Sequence, residues 1–313
     1  MVNTDEFDFT IKNPIATNND NNTLPENHNL PTPLSDSGLL ENEMQDPNKI
    51  IVNIQDPSPV IILFGAGQSG KTMTLVRLTR YLKKLGYKVE PDRIFRPSAD
   101  KHYQIMCNTF DSIVNSEFAA SRTKVLSFML VKVMNKYGEP FCQILEAPGE
   151  HYFDEKYPKK GFPSYINKIS TIDNQKTWIF IVEKDWKDPS VRKDYSDKII
   201  SMQSQDAVVN DKVIFTCHKA DLHNALFNGG IPNKTQFFKD IKNQYPNIFS
   251  KYLNKNPITS LFRKYNFDFV VFSSGRFNET EDGERVYTQS NDKYAAELWN
   301  AIYKTVKGSW RLI

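Results

Sequence analysis

The stretch VIILFGAGQSGKT, residues 60–72, constrains this chain more than any other. Five apolar residues in a row run into a glycine, the pattern of a strand buried on both faces. Beyond the loop, Leu75, Leu78, Leu82 and Leu85 recur at spacings of three and four, so a helix follows, with Gly86 as its stop. Within this strand–loop–helix setting, Gly65, Gly70, Lys71 and Thr72 satisfy G-x-x-x-x-G-K-S/T. Glycines let backbone N–H groups curl around a phosphate, and the helix N-terminus adds the positive end of its dipole. The expected phosphate-binding residues are Gly65, Ala66, Gly67, Gln68, Ser69, Gly70, Lys71 and Thr72. Lys71 is the point charge for the β- and γ-oxygens, and Thr72 the hydroxyl for Mg²⁺. The loop by itself leaves ATP, GTP and phosphotransfer equally open.

The rest of the chain predicts more strands alternating with helices. KVLSFMLVKVM (124–134) and PFCQIL (140–145) flank the turn NKYG and read as a hairpin. WIFIV (178–182), KVIFT (212–216) and FDFVVF (267–272) read as buried strands, with helical segments near 190–205 and 234–253. A last helix keeps Ala295, Leu298, Ile302 and Val306 in step. Together these predict an α/β fold, a doubly wound, mostly parallel sheet with one antiparallel edge strand from the hairpin.

Residues 1–55 are different, with Asn and Pro clusters such as NNDNNTLPENHNLPTP and little apolar periodicity. Such a stretch buries too little surface to offset its ordering entropy and is read as a disordered leader, with 56–313 as one domain. Residues 1–50 carry two lysines against nine acidic residues, a net −7 that leaves +10 on the remainder. A moderately basic body suits phosphate-bearing ligands, but no basic run is interleaved with aromatics, which argues against nucleic acid. No apolar stretch is long enough to span a membrane. Cys107, Cys142 and Cys217 lack metal or disulfide spacing and read as reduced thiols in a cytosolic protein.

A carboxylate at the end of a second strand is the expected partner of a phosphate loop. CQILEAPGEHYF (142–153) supplies Glu146 there, and Gly149 three residues later can turn its backbone N–H toward a γ-phosphate.

These residues resemble the Ras-like, translation-factor-related GTPases, a P-loop NTPase family, and later stretches extend the likeness in family order. TCHKADL (216–222) resembles the guanine-reading motif, and FSSGR (272–276) the loop whose backbone meets guanine O6. The resemblance implies that Lys219 packs along the base and Asp221 accepts from the guanine N1–H and amino group, a donor pair adenine lacks. It likewise implies Ser273 and Ser274 at guanine. It places Thr123, just before the hairpin, on Mg²⁺ and the γ-phosphate, with Thr109 as the alternative, and Glu146 on the metal through water. The long stretch 87–122 resembles the helical insertion of the bacterial double-GTPase-type branch. Departures fall at Glu146, where the family carries Asp, at Glu150 for a water-orienting Gln, at His218 for Asn, and at Gly275 for Lys. Glu150, His151 and Arg122 are the candidate catalytic residues.

The implied function is a GTP/GDP switch that hydrolyses GTP with Mg²⁺, slowly unless a protein effector or activating protein assists. A P-loop ATPase or small-molecule kinase, and a GTP-binding module without significant turnover, are the rival readings.

Overall fold

The apolar run Val60–Phe64 is completely buried, and the other strands are arranged around it. The computed structural model describes residues 39–116, 126–204, 210–258, 260, 264–279 and 285–308. Its strands are β1 (Val60–Phe64), β2 (Lys88–Pro91), β3 (Met129–Met134), β4 (Pro140–Glu146), β5 (Lys176–Glu183) and β6 (Lys212–His218). A two-residue ladder of β7 (Phe227–Asn228) with β8 (Ile231–Pro232) precedes β9 (Asp268–Val271), and β10 (Gly275–Glu279) pairs with β11 (Arg285–Gln289) as a separate hairpin. The main sheet runs β2-β3-β4-β1-β5-β6-β9. Here β1 is parallel to both β4 and β5, and β6 is parallel to β5 and β9.

The helices are α1 (Glu41–Gln45), α2 (Lys71–Lys84), α3 (Lys101–Asn115), α4 (Gly149–Tyr152), α5 (Ser164–Ser170), α6 (Pro189–Gln203), α7 (Lys234–Gln244) and α8 (Asp292–Lys307). Leu75, Leu78 and Leu82 of α2 are fully buried, whereas Leu85 caps the helix and is exposed. The expected helix 234–253 stops at Gln244 because Tyr245 precedes Pro246 and is pushed into extended backbone. Aromatic rings fill one side of the core: Phe64 lies 4.7 Å from Tyr152 and 5.1 Å from Phe180. Cys107, Cys142 and Cys217 are buried and free. Among the described residues no helix is long and apolar enough to cross a membrane.

Two details go beyond the sequence reading. β3 is antiparallel to β4, as a hairpin requires, but it is not the edge; β2 pairs antiparallel outside it. The segment KVEP is too short and too mixed in polarity to announce itself. Residues 39–55, read from sequence as part of the leader, pack against the fold. Leu39, Ile50 and Val52 are buried, and Asn53 N–H donates to Phe95 O at 2.8 Å. Arg96 fastens this segment from within: its guanidinium reaches both Glu43 oxygens at 2.5 and 2.7 Å, Asp100 at 2.9 Å and the Ile51 carbonyl at 2.7 Å. Residues 1–38 of the expected leader lie outside the described residues.

Removing one carboxylate from that cluster leaves a buried guanidinium half-compensated. Glu43→Ala is therefore expected to cost about 3 kcal/mol of unfolding free energy in urea, the lower end for a broken buried pair. A loss under about 0.5 kcal/mol would mean that the pair does not hold the segment.

Candidate functional site

The strand order brings the carboxyl ends of β4, β1, β5, β6 and β9 to one edge of the sheet, where α/β folds bind ligands. At the end of β1 the chain turns through Gly65–Gly70. Ser69 N–H donates to Ala66 O at 3.3 Å, and Gly70, at φ +89°, caps α2. Lys71 is buried, and its Nζ donates to the carbonyls of Gly65 at 3.1 Å and Ala66 at 3.0 Å. Burial lowers its pKa, opposed by the charges of Glu146, Glu150 and Glu183.

Glu146 ends β4 beside this loop. Its Oε1 accepts from Thr72 Oγ1 at 2.8 Å, while its buried Oε2 has no hydrogen-bond partner. Burial pushes the carboxyl up to about 8, with Lys71 and the Thr72 bond working against the rise. A hydroxyl and a carboxylate with an unused oxygen form a hard donor set that fits Mg²⁺, an ion that takes few protein ligands and keeps the rest for water and phosphate. Among the described residues no three His, Cys, Asp or Glu side chains gather around one point.

Gly149 follows at the start of α4, and here glycine is obligatory. A Cβ would sit 2.3 Å from Gly67 N and 2.4 Å from the Ala66 carbonyl carbon. Glu150 projects across Gly67, with Oε1 only 2.5 Å from where a Cβ on residue 67 would be. His151 turns the other way: its Nδ1 lies 2.8 Å from the buried Tyr165 hydroxyl, and burial pushes its pKa down to about 4. It does not line the cavity described below.

At the end of β6, His218 is buried and stacked on Phe272, with ring centroids 4.9 Å apart. Its Nε2 is 3.5 Å from Thr74 Oγ1, and a Cβ on Gly70 would lie 3.2 Å from its Nδ1. Burial, then Lys219 and Lys71, push its pKa down to about 3, so the imidazole is neutral where it meets the phosphate loop. Lys219 adopts a left-handed backbone at φ +53° and pairs with Glu183 at 2.7 Å. Asp221 Oδ1 accepts from Ser273 Oγ at 2.6 Å, which holds one carboxylate oxygen in place.

A cavity of about 1140 Å³ joins these parts. Lys71, Thr72, Glu146 and Gly149 line it together with Lys219, Asp221 and Ser274. Ser273 is buried behind Asp221 and does not line it. Thr109 lies inside α3, where its hydroxyl donates to Ile105 O at 3.0 Å. Thr123 and Arg122 lie outside the described residues.

Sequence reasoning missed Ser127 and the hairpin residues Arg276, Phe277 and Asn278, which also line the cavity. The alternation in GRFNE and RVYTQ around TEDGE was the available signal. The hairpin also accounts for Gly275: at φ +140°, a Cβ there would meet Thr288 O at 2.2 Å. Glu183, the partner of Lys219, was missed because a strand-end acid has no signature of its own.

No protein-family model matches the chain, and no curated protein matches it. Among solved structures it is similar to the GTPase-like domain of S. cerevisiae Ski7, bound to GDP and inorganic phosphate, at 13% identity and a TM-score of 0.39. The match covers 86% of this chain and 52% of that one, so this chain spans about half the length of its neighbour.

His218 gives the site a pH signature. Its folded pKa is depressed, so its contribution to stability is complete above its ordinary value of 6.5 and is lost as pH falls toward about 3. His151, lowered to about 4, adds a contribution of the same sign. In that window one such group contributes a slope of up to about 1.4 kcal/mol per pH unit. The unfolding free energy of His218→Asn is expected to fall less steeply between pH 6.5 and 4 than that of the native chain. Superimposable acid limbs would show that His218 protonates without penalty.

Proposed function

We propose that this chain is a cytosolic GTP-binding switch that hydrolyses GTP to GDP and phosphate with Mg²⁺. The observation that carries the reading is a shared cavity: Asp221, braced by Ser273, faces the same space as Lys71 and the Thr72–Glu146 pair. A braced carboxylate can accept from two adjacent N–H donors of guanine, a pair that adenine does not present. Lys219, fixed at its head by Glu183, lays its stem beside the base.

The phosphate end supports nucleotide chemistry by positioning and charge. Lys71 and the backbone N–H groups of residues 66–71 bind the β- and γ-oxygens, and the Gly149 N–H meets the γ-phosphate. Thr72 and Glu146 would hold Mg²⁺, which neutralises phosphate charge when bound. The roles of Thr123 at the γ-phosphate and of Arg122 beside it are proposals from sequence. A protein effector or activating protein belongs to the same proposal.

A second reading, nucleotide binding with little turnover, is favoured by one specific arrangement. His151 is held by Tyr165, and Glu150 brings negative charge to the place where a neutral side chain would orient water. Single-turnover phosphate release with Mg²⁺ separates the two: tight GTP retention with no release would select the second.

The base reading has its own test. A bidentate contact of this kind discriminates by about 1–3 kcal/mol, so Asp221→Asn is expected to cut the preference for GTP over ATP by about 10–100-fold in calorimetry. An unchanged preference would overturn the guanine assignment, as would absence of GTP and GDP binding at submillimolar concentration in the native chain.

A further inference from the structure

We infer that Glu150 makes this cavity a diphosphate site in the conformation described here, its carboxylate standing in the space that a γ-phosphate would take. The inference rests on the guanine-nucleotide reading and adds which form of the nucleotide the site selects.

The argument starts from packing. Gly149 is pressed so closely onto the backbone of Ala66 and Gly67 that only a hydrogen fits between them. The next residue therefore cannot leave the loop's surface: Glu150 extends over Gly67, and its Oε1 lies against that residue's α-carbon face. A γ-phosphate that touches both the phosphate loop and the 149–152 turn has to lie in the gap that Glu150 spans. The carboxylate is an anion of similar hydrogen-bonding capacity, and it faces the same cation: Lys71 feels Glu146 and Glu150 as its two largest attractive charges. A nucleoside diphosphate leaves that gap to Glu150. A triphosphate adds one more negative charge beside the Glu150 carboxylate and must displace it.

Displacement is mechanically easy. Glu150 is exposed, the contact with Gly67 is made by the far end of a flexible side chain, and no hydrogen bond to the phosphate loop ties the carboxylate down. The barrier to triphosphate binding is thus charge rather than shape, and the 149–152 turn need only release one side chain. This sets a threshold for the switch: the triphosphate state requires Glu150 to swing out, and the diphosphate state lets it return over Gly67.

Calorimetry on the full chain with Mg²⁺, using GDP and a non-hydrolysable GTP analogue, tests this without depending on turnover. The native chain is expected to bind GDP about tenfold more tightly than the analogue, the order of a screened unit-charge repulsion at a part-exposed site. Glu150→Gln should raise analogue affinity by about tenfold and leave GDP affinity within about twofold. Glu150→Asp, which keeps the charge, should retain the preference for GDP. Equal affinities in the native chain would overturn the inference, as would a Gln variant that moves both ligands alike. Binding of GDP with no change in the ratio sinks this proposal alone, whereas binding of neither ligand by any of the three proteins sinks the guanine reading as well.

Discussion

No side chain fits between residue 149 and the phosphate loop, and that contact sets the geometry of the site. Because β4 lies parallel beside β1, the segments leaving their carboxyl ends emerge about 5 Å apart and must either clash or interlock. Glycine at 149 lets them interlock backbone to backbone. The same adjacency brings Glu146, the last residue of β4, within hydrogen-bonding distance of Thr72, the second residue of α2. A bulkier residue at 149 would push the turn off the loop and separate Glu146 and Gly149 from Lys71 and Thr72.

The Asp221 side of the cavity is held by α2 as well, through residues further along the helix. Thr74 reaches toward His218, and buried Arg77 donates to Ser290 O at 3.0 Å and to Asp292 at 2.6 Å. Ser290 in turn donates to Ser273 O at 2.6 Å, and Ser273 braces Asp221. One helix therefore follows the 65–70 loop at its first turn and holds the 218–221 and 273–274 loops from its flank. Arg77 is fully desolvated, and its ion pair with Asp292 is repaid by the added carbonyl bond rather than by Coulomb attraction alone. Thr74 and Arg77, three residues apart, lie on one face of a single element, so a shift of α2 would move both ends of the cavity together.

Much of this was legible in the sequence because parallel strands buried on both faces read as unbroken apolar runs. VIILF and WIFIV lie within fully buried stretches of strand, and KVIFT is buried from Val213 onward. The chemistry at their ends follows from the same rule, since ligand-binding residues in this architecture begin where such runs stop. What escaped notice lacked periodicity. β2 is four residues long and half-buried, and segment 39–56 is held by three apolar anchors and one buried ion cluster rather than by a repeating face. Side-chain direction escaped too: nothing in APGEHYF says that Glu150 faces the loop while His151 turns to Tyr165, since that depends on Gly149 fixing the first turn of α4.

The residues that depart from the GTPase pattern the sequence resembles differ in consequence, and their neighbours explain why. At the base end each departure is absorbed locally. His218 keeps a polar contact toward α2 and gains a ring stack on Phe272, and Gly275 gives up a long side chain where the hairpin β10–β11 needs its backbone against Thr288. At the phosphate end absorption is only partial. The extra methylene of Glu146 is taken up by direct contact with Thr72, but its second oxygen stays buried without a hydrogen-bond partner. Glu150 adds charge that no described cation other than Lys71 is placed within the loop to offset. Under the proposed function, base recognition would rest on geometry that these departures leave intact, and the handling of the terminal phosphate on a charge balance that they alter. The two are carried by different strand ends, which meet at α2 and where His218 lies against Gly70.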